Sequence, residues 1–254
     1  IAVSTLGIAS LLVLVSYASA LWHVYALAMG WGLLLSVFWP SLFAWLADSH
    51  SPAQLGPATG AVNLGWSIGG MIGGVMAGWL FHIRPALPFL VAALPAMLAR
   101  VSVPRGDARP RLFVTETGPA PMPPGTRRGL IAAWLGNFAM CCMLGLMTGV
   151  FPKFGEGLGV TSVVFGVLVA SSGVVRFGVF MAGFRGMHWP RDWRLATLAQ
   201  LLCALLVGSV AWANGCAWLV PVFAALGLSM GTVYFASLYA SLEGEGSRGL
   251  KTAI

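Results

Sequence analysis

Charged positions are so sparse that long apolar runs dominate the chain. No Asp, Glu, Lys or Arg precedes Asp48, and none lies within 49–83, 129–152 or 195–242. A helix needs about 20 apolar residues to cross the hydrocarbon core of a bilayer. The first and last of these runs are each long enough for two crossings. The pattern predicts eight spans, at roughly 1–20, 22–47, 57–82, 86–103, 129–150, 160–184, 194–213 and 216–241. Helix is the expected state, because a membrane barrel would show ~10-residue segments of alternating polarity. The fold class is therefore all-α: a polytopic membrane protein with eight transmembrane helices in two bundles.

Turn chemistry marks most of the boundaries: Ser51-Pro52 to Gly56-Pro57, Arg84-Pro85, Gly155 to Gly159, and Asn214-Gly215. The break between the first two spans, near Ser19 to His23, has the weakest signal. Residues 104–125 are Pro- and Arg-rich and read as an unstructured linker. The expected organisation is a four-helix bundle over 1–103, a cytoplasmic linker over 104–128 and a second four-helix bundle over 129–254.

Basic residues set the orientation. With the linker in the cytoplasm, Arg100, Arg105, Arg109, Arg111, Arg127, Arg128, Arg185, Arg191, Arg194, Arg248 and Lys251 all lie inside. Only Arg84 and Lys153 fall outside, and Arg176 lies within a span. This agrees with the positive-inside rule and fixes the parity of all eight spans.

Composition narrows the function classes. Of 254 residues, 58% are hydrophobic and 8% charged, with a mean hydropathy of +0.87. Soluble domains carry about a quarter charged residues, so an ordinary soluble enzyme and a disordered chain are both excluded. The net charge of +7 does not point to nucleic acid, because the bases form no amphipathic face and are not interleaved with aromatics. Cys141, Cys142, Cys203 and Cys216 lack metal-ligand spacing and are expected to be small core residues. No Ser/His/Asp set, convergent carboxylates or Gly-Lys-Ser/Thr phosphate loop is present. The expectation is no enzyme, no cofactor and no metal, which disfavours an ATP-driven pump. The chain starts at Ile1 inside apolar sequence, as expected of a fragment rather than of a signal peptide.

The third span is rich in glycine. Four-residue spacing puts Gly65, Gly69 and Gly73 on one face and Gly70, Gly74 and Gly78 on the next. Small residues let helix backbones approach closely in lipid, where no hydrophobic force drives association. Close static packing and a smooth surface for sliding or rocking are both open readings.

The stretch GWGLLLSVFWPSLFAWLAD, from Gly30 to Asp48, resembles the fourth helix of the major facilitator superfamily of secondary transporters. GPATGAVNLGWSIGGMIGGVMAGWL, from Gly56 to Leu80, resembles its fifth. The basic linker is similar to the loop joining that family's two halves, and residues 237–254 resemble the end of the tenth helix and the loop beyond. The resemblance maps the eight spans onto helices three to ten. It implies a secondary active transporter of a small solute, working by alternating access, with a coupling ion as a further partner. The bacterial inner membrane is the implied location. Ala26 stands where many proton-coupled members carry an arginine, and Gly69-Gly70 where drug antiporters carry Gly-Pro. The halves of such folds are repeats. A shift of 195 residues pairs Gly32 with Gly227, Trp39 with Tyr234 and Asp48 with Glu243. The alternative is a non-transporting sensor or membrane-embedded enzyme on the same fold.

Arg176 stands out without any resemblance. A charge inside a span costs several kcal/mol unless it meets a partner or water. It reads either as a cavity residue binding an anionic group or gating, or as a side chain snorkelling to the interface. The resemblance implies that Asn63, Trp66, Trp39, Asn137, Tyr234 and Tyr239 surround a substrate with it, in a cavity between the halves. It further implies that Asp48 and Glu243 take part in gating. For the asparagines the plainer reading is hydrogen bonding between helices, and for the aromatics ordinary packing or an interfacial belt. Gln200 is expected to face lipid or the bundle side, and His23, Tyr25 and His82 to sit at the interface.

Overall fold

The computed structural model describes residues 1–50, 52–102, 126–185 and 193–243. The linker expected at 104–128 falls largely outside them. Every regular element among the described residues is helical: α1 (Ala2–Val15), α2 (Leu21–Ser49), α3 (Pro52–Ile83), α4 (Leu87–Ser102), α5 (Thr126–Gly145), α6 (Phe151–Glu156), α7 (Ser162–Phe184), α8 (Trp193–Ser209) and α9 (Leu219–Glu243). They make up the eight expected spans, with α5 and α6 joined through a π turn at Leu146–Val150. Six spans are long and apolar enough to cross a membrane, while α1 and α4 are shorter apolar helices.

Local chemistry explains the boundaries. After Val15 the ladder tightens: the amides of Ser16, Tyr17 and Ala18 donate to carbonyls three residues back, and the Ser16 hydroxyl donates to Val13 O. The first helix therefore stops short of residue 20. At the start of α2 the Ala20 amide donates to His23 Nδ1 at 3.2 Å, so His23 caps the helix. The fifth span runs past its expected end at 150. Pro152 has no amide hydrogen and cannot continue an α-helical ladder. The π turn precedes it, and the Phe151 amide reaches five residues back to Leu146 O. The chain then turns at Gly157–Gly159, where Gly159 takes φ +77°, a conformation that favours glycine.

Packing fixes the arrangement. α1 lies on α4 and α2, and α4 on α3. α9 is the most buried helix and packs on α7, α8 and α5. Among the described residues the most extensive contact joins α3 to α7. These two helices are antiparallel along their length: Gly60 meets Phe184 at one end, and Gly78 meets the backbone of Ser162 at the other. Near the first of these ends Phe43, Leu46 and Leu238 form a cluster with Trp39, Ala58, Val62 and Tyr234. Near the same end Gly136 of α5 approaches Val233 of α9 and Gln200 of α8. The antiparallel α3 and α7 fit the alternation that the expected parity requires of these two spans. We call this the shared end, because Asp48 and Glu243 close their helices there. At the opposite end α5, α6, α7 and α9 bury an apolar core that includes Phe151, Phe165 and Phe223, with ring centroids 5.7–6.4 Å apart.

The two glycine faces of α3 differ. Gly65, Gly69 and Gly73 have nothing within 4 Å of where a Cβ would lie. Gly74 and Gly78 lie against the backbone of α7 at Gly166 and Ser162, and Gly70 against Arg176. Backbone-to-backbone approach of this kind needs the missing side chain. On its other side α7 presses the backbone of Ser172 against Gly227 of α9. Outward-facing apolar side chains such as Leu33, Leu205 and Trp212 suit a lipid surroundings rather than water.

Of the four cysteines expected in the core, only Cys203 is buried; Cys141, Cys142 and Cys216 are exposed. Cys141 and Cys142 lie on α5 and Cys216 in the turn before α9, and an apolar run with no marked amphipathic face does not reveal which side is covered.

Candidate functional site

The α7-facing stripe of α3 reads Thr59, Asn63, Ser67, Gly70, Gly74 and Gly78, at spacings of four and three residues that keep one helix face. Its shared-end half is polar and its opposite half is glycine. Arg176 of α7 enters at the junction. Its Nε donates to Ser67 Oγ at 3.3 Å, and Nη1 lies 3.1 Å from Met230 Sδ of α9. The guanidinium carbon sits 4.3 Å from the centroid of the Trp66 ring, within cation–π range. A Cβ on Gly70 would come within 2.6 Å of Nη2, so glycine is what admits the guanidinium here.

Arg176 is only 8% exposed and therefore does not snorkel. It makes no ion pair among the described residues, whose one salt bridge is the exposed Lys153–Glu156 pair at 2.6 Å. Its hydrogen-bond acceptors there are one hydroxyl and one thioether. A guanidinium has five N–H donors, and a thioether is a weak acceptor, so most of that capacity is unused.

Aromatic rings complete the surroundings. Trp66 lies 5.5 Å from Trp39, 5.4 Å from Tyr234 and 6.3 Å from Phe180, between centroids. Trp39 also stacks on Phe43 at 6.0 Å. Trp39 and Tyr234, paired by the 195-residue shift, touch the same ring. The shift also pairs Phe43 with Leu238, which share one cluster. In this conformation these rings pack against one another beside Arg176. An open groove of about 490 Å³ lies elsewhere, at Ser209 and Trp212–Trp218.

Asn63 is fully buried, and neither its Oδ1 nor its Nδ2 finds a partner among the described residues; Thr59 Oγ1 and Ser229 Oγ are likewise unmatched. The plainer expectation, an interhelical hydrogen bond for Asn63, is not what the structure shows. Asn137 Oδ1 is also buried and unmatched, on α5. Each such orphan costs about 1–3 kcal/mol. Gln200 faces the protein: its Nε2 donates to Gly136 O at 2.7 Å, tying α8 to α5.

The structure therefore brings together Arg176, Trp66, Trp39 and Tyr234, with Asn63 one turn from Ser67 on the same stripe. The side chains of Asp48, Tyr239 and Glu243 lie outside the described residues. The sequence does not single out Ser67, Phe180 or Met230 as site residues, and marks Gly70 only as part of a glycine face. Ser67 and Gly70 carry a faint signal, four and seven residues after Asn63, whereas Met230 and Phe180 carry none.

The sequence profile of the Major Facilitator Superfamily matches residues 1–249, nearly the whole chain. The chain belongs to the Major Facilitator Superfamily. It is an integral, multi-pass membrane protein, and members of this superfamily are membrane transporters of small molecules. Searches of curated proteins and of solved structures gave no match.

Proposed function

We propose that the chain is a secondary active transporter that moves a small solute by alternating access. Two bundles, residues 1–103 and 129–254, rock about the α3–α7 seam, with the linker at 104–128 and the shared end in the cytoplasm of a bacterial inner membrane. Arg176, Asn63, Trp66, Trp39, Asn137, Tyr234 and Tyr239 face the solute, and Asp48 and Glu243 assist closure at the shared end.

The observation that carries this reading is the Trp39–Phe43–Leu238–Tyr234 contact. It brings α2, from one proposed bundle, against α9, from the other, beside a buried, under-satisfied cation. The contact is small, so exposing it to the cytoplasm costs far less than parting a long seam would. The α3–α7 seam, by contrast, is long and closely packed, as a fulcrum needs to be. On this reading the present conformation is the one closed at the shared end.

A reversible crosslink tests the reading. With the native cysteines replaced, Phe43→Cys and Leu238→Cys are joined by an oxidant in proteoliposomes that take up a solute found by screening. Uptake is expected to stop on oxidation and return on reduction. Undiminished uptake through the crosslinked protein would overturn the rocking mechanism.

A further inference from the structure

We propose that the Arg176 guanidinium, with Trp66, Ser67 and the unmatched amide of Asn63, is a binding site for the carboxylate of a small planar organic anion. The inference rests on the transport reading only in making that anion the transported solute.

The argument starts from charge balance. A guanidinium 8% exposed inside a span is stable only with a counter-charge or dense hydrogen bonding. The chain has seven acids, and among the described residues none pairs with Arg176; the helix ends that carry two of them are distant along the axis. Glu243 is thirteen residues beyond Met230 on α9, about 20 Å along the axis at ~1.5 Å per residue. Asp48 is nine residues beyond Trp39 on α2, about 13 Å on the same rise. Glu156 is engaged by Lys153, and Asp107, Glu116, Asp192 and Glu245 lie outside the described residues.

The remaining donors then decide the ligand. Arginine's planar fork matches a carboxylate through two parallel hydrogen bonds. Asn63 adds an unmatched amide N–H₂ on the same α3 face, one turn from Ser67. The unmatched amide, fully buried one turn from the acceptor of Arg176, and the spare guanidinium donors would together satisfy one carboxylate. The body of the ligand is set by the rings. Trp66, Trp39 and Tyr234 are half-buried and meet at 5.4–5.5 Å, offering π faces to a flat apolar group. A neutral solute would leave the guanidinium unpaired.

The test uses the whole chain in detergent, with acetate and benzoate as probes and acetamide and benzamide as their neutral counterparts. Binding is read by quenching of tryptophan fluorescence and by the thermal midpoint. Benzoate is expected to bind, more tightly than acetate, and the amides not to bind. Arg176→Gln should weaken benzoate binding at least tenfold. Asn63→Asp, nearly isosteric, supplies a carboxylate beside the site and should abolish benzoate binding without lowering the midpoint. This second variant decides the matter if Arg176→Gln does not fold. Equal binding of benzamide and benzoate, no binding of either acid, or unchanged benzoate binding in a folded Arg176→Gln or Asn63→Asp protein would each overturn the proposal. Uptake of a neutral solute that survives Arg176→Gln would also overturn it and leave the transport reading standing. Benzoate that binds but never crosses proteoliposomes holding this protein would sink benzoate's role as solute and leave the binding site standing.

Discussion

Arg176 is held by Ser67, Met230 and the face of Trp66, and none of these neutralises its charge. A residue kept for stability would not be built this way. Replacing a buried, poorly compensated charge by an apolar side chain of similar volume is often neutral or stabilising, by as much as 1–4 kcal/mol. Arg176→Met, which keeps the unbranched stem, is therefore expected to raise the stability of the detergent-solubilised protein by about 1 kcal/mol or more while removing solute recognition. Thermal unfolding beside a binding or uptake assay checks both. A variant that loses several kcal/mol of stability would instead make Arg176 a structural tie between α3, α7 and α9. The sequence exposed Arg176 because one charge in an apolar span is conspicuous. It left Ser67 and Met230 unmarked, because an acceptor supplied by a helix more than fifty residues away has no local signature.

At the scale of the element, the helices were legible because lipid forces each crossing to be long, apolar and internally hydrogen-bonded. What the apolar runs do not encode is which side of a helix meets which neighbour. The two glycine faces of α3 are indistinguishable in sequence, yet only Gly70, Gly74 and Gly78 meet α7. The π turn before Pro152 was similarly hidden, since proline signals a disturbed ladder without saying whether the helix ends or bulges. The glycine faces give a direct prediction. Gly74→Ala and Gly78→Ala place a methyl group against the backbone of α7 and should each destabilise by about 1–3 kcal/mol through overpacking. Gly65→Ala, Gly69→Ala and Gly73→Ala meet open space and should be neutral, or stabilising by up to about 1 kcal/mol from helix propensity. Equal effects on the two faces, measured by thermal unfolding, would mean that α3 packs through a different stripe.

For the whole molecule, the contacts divide into a long seam and a small latch. α3 and α7 touch from Gly60–Phe184 to Gly78–Ser162, whereas among the described residues α2 and α9 share the small cluster around Phe43, Trp39, Tyr234 and Leu238. Rocking about the seam would open the latch and press the opposite ends of the helices together. Pulsed electron paramagnetic resonance distances in lipid nanodiscs test this most directly. One label pair, at Trp45 and Leu198, reports on the shared end, and a second, at Trp22 and Trp212, on the opposite end; all four residues are exposed. The account predicts two populations at each end, shifting in opposite senses when solute is added, with the short Trp45–Leu198 distance accompanying the long Trp22–Trp212 distance. A single unchanging distance at both ends, with and without solute, would contradict it.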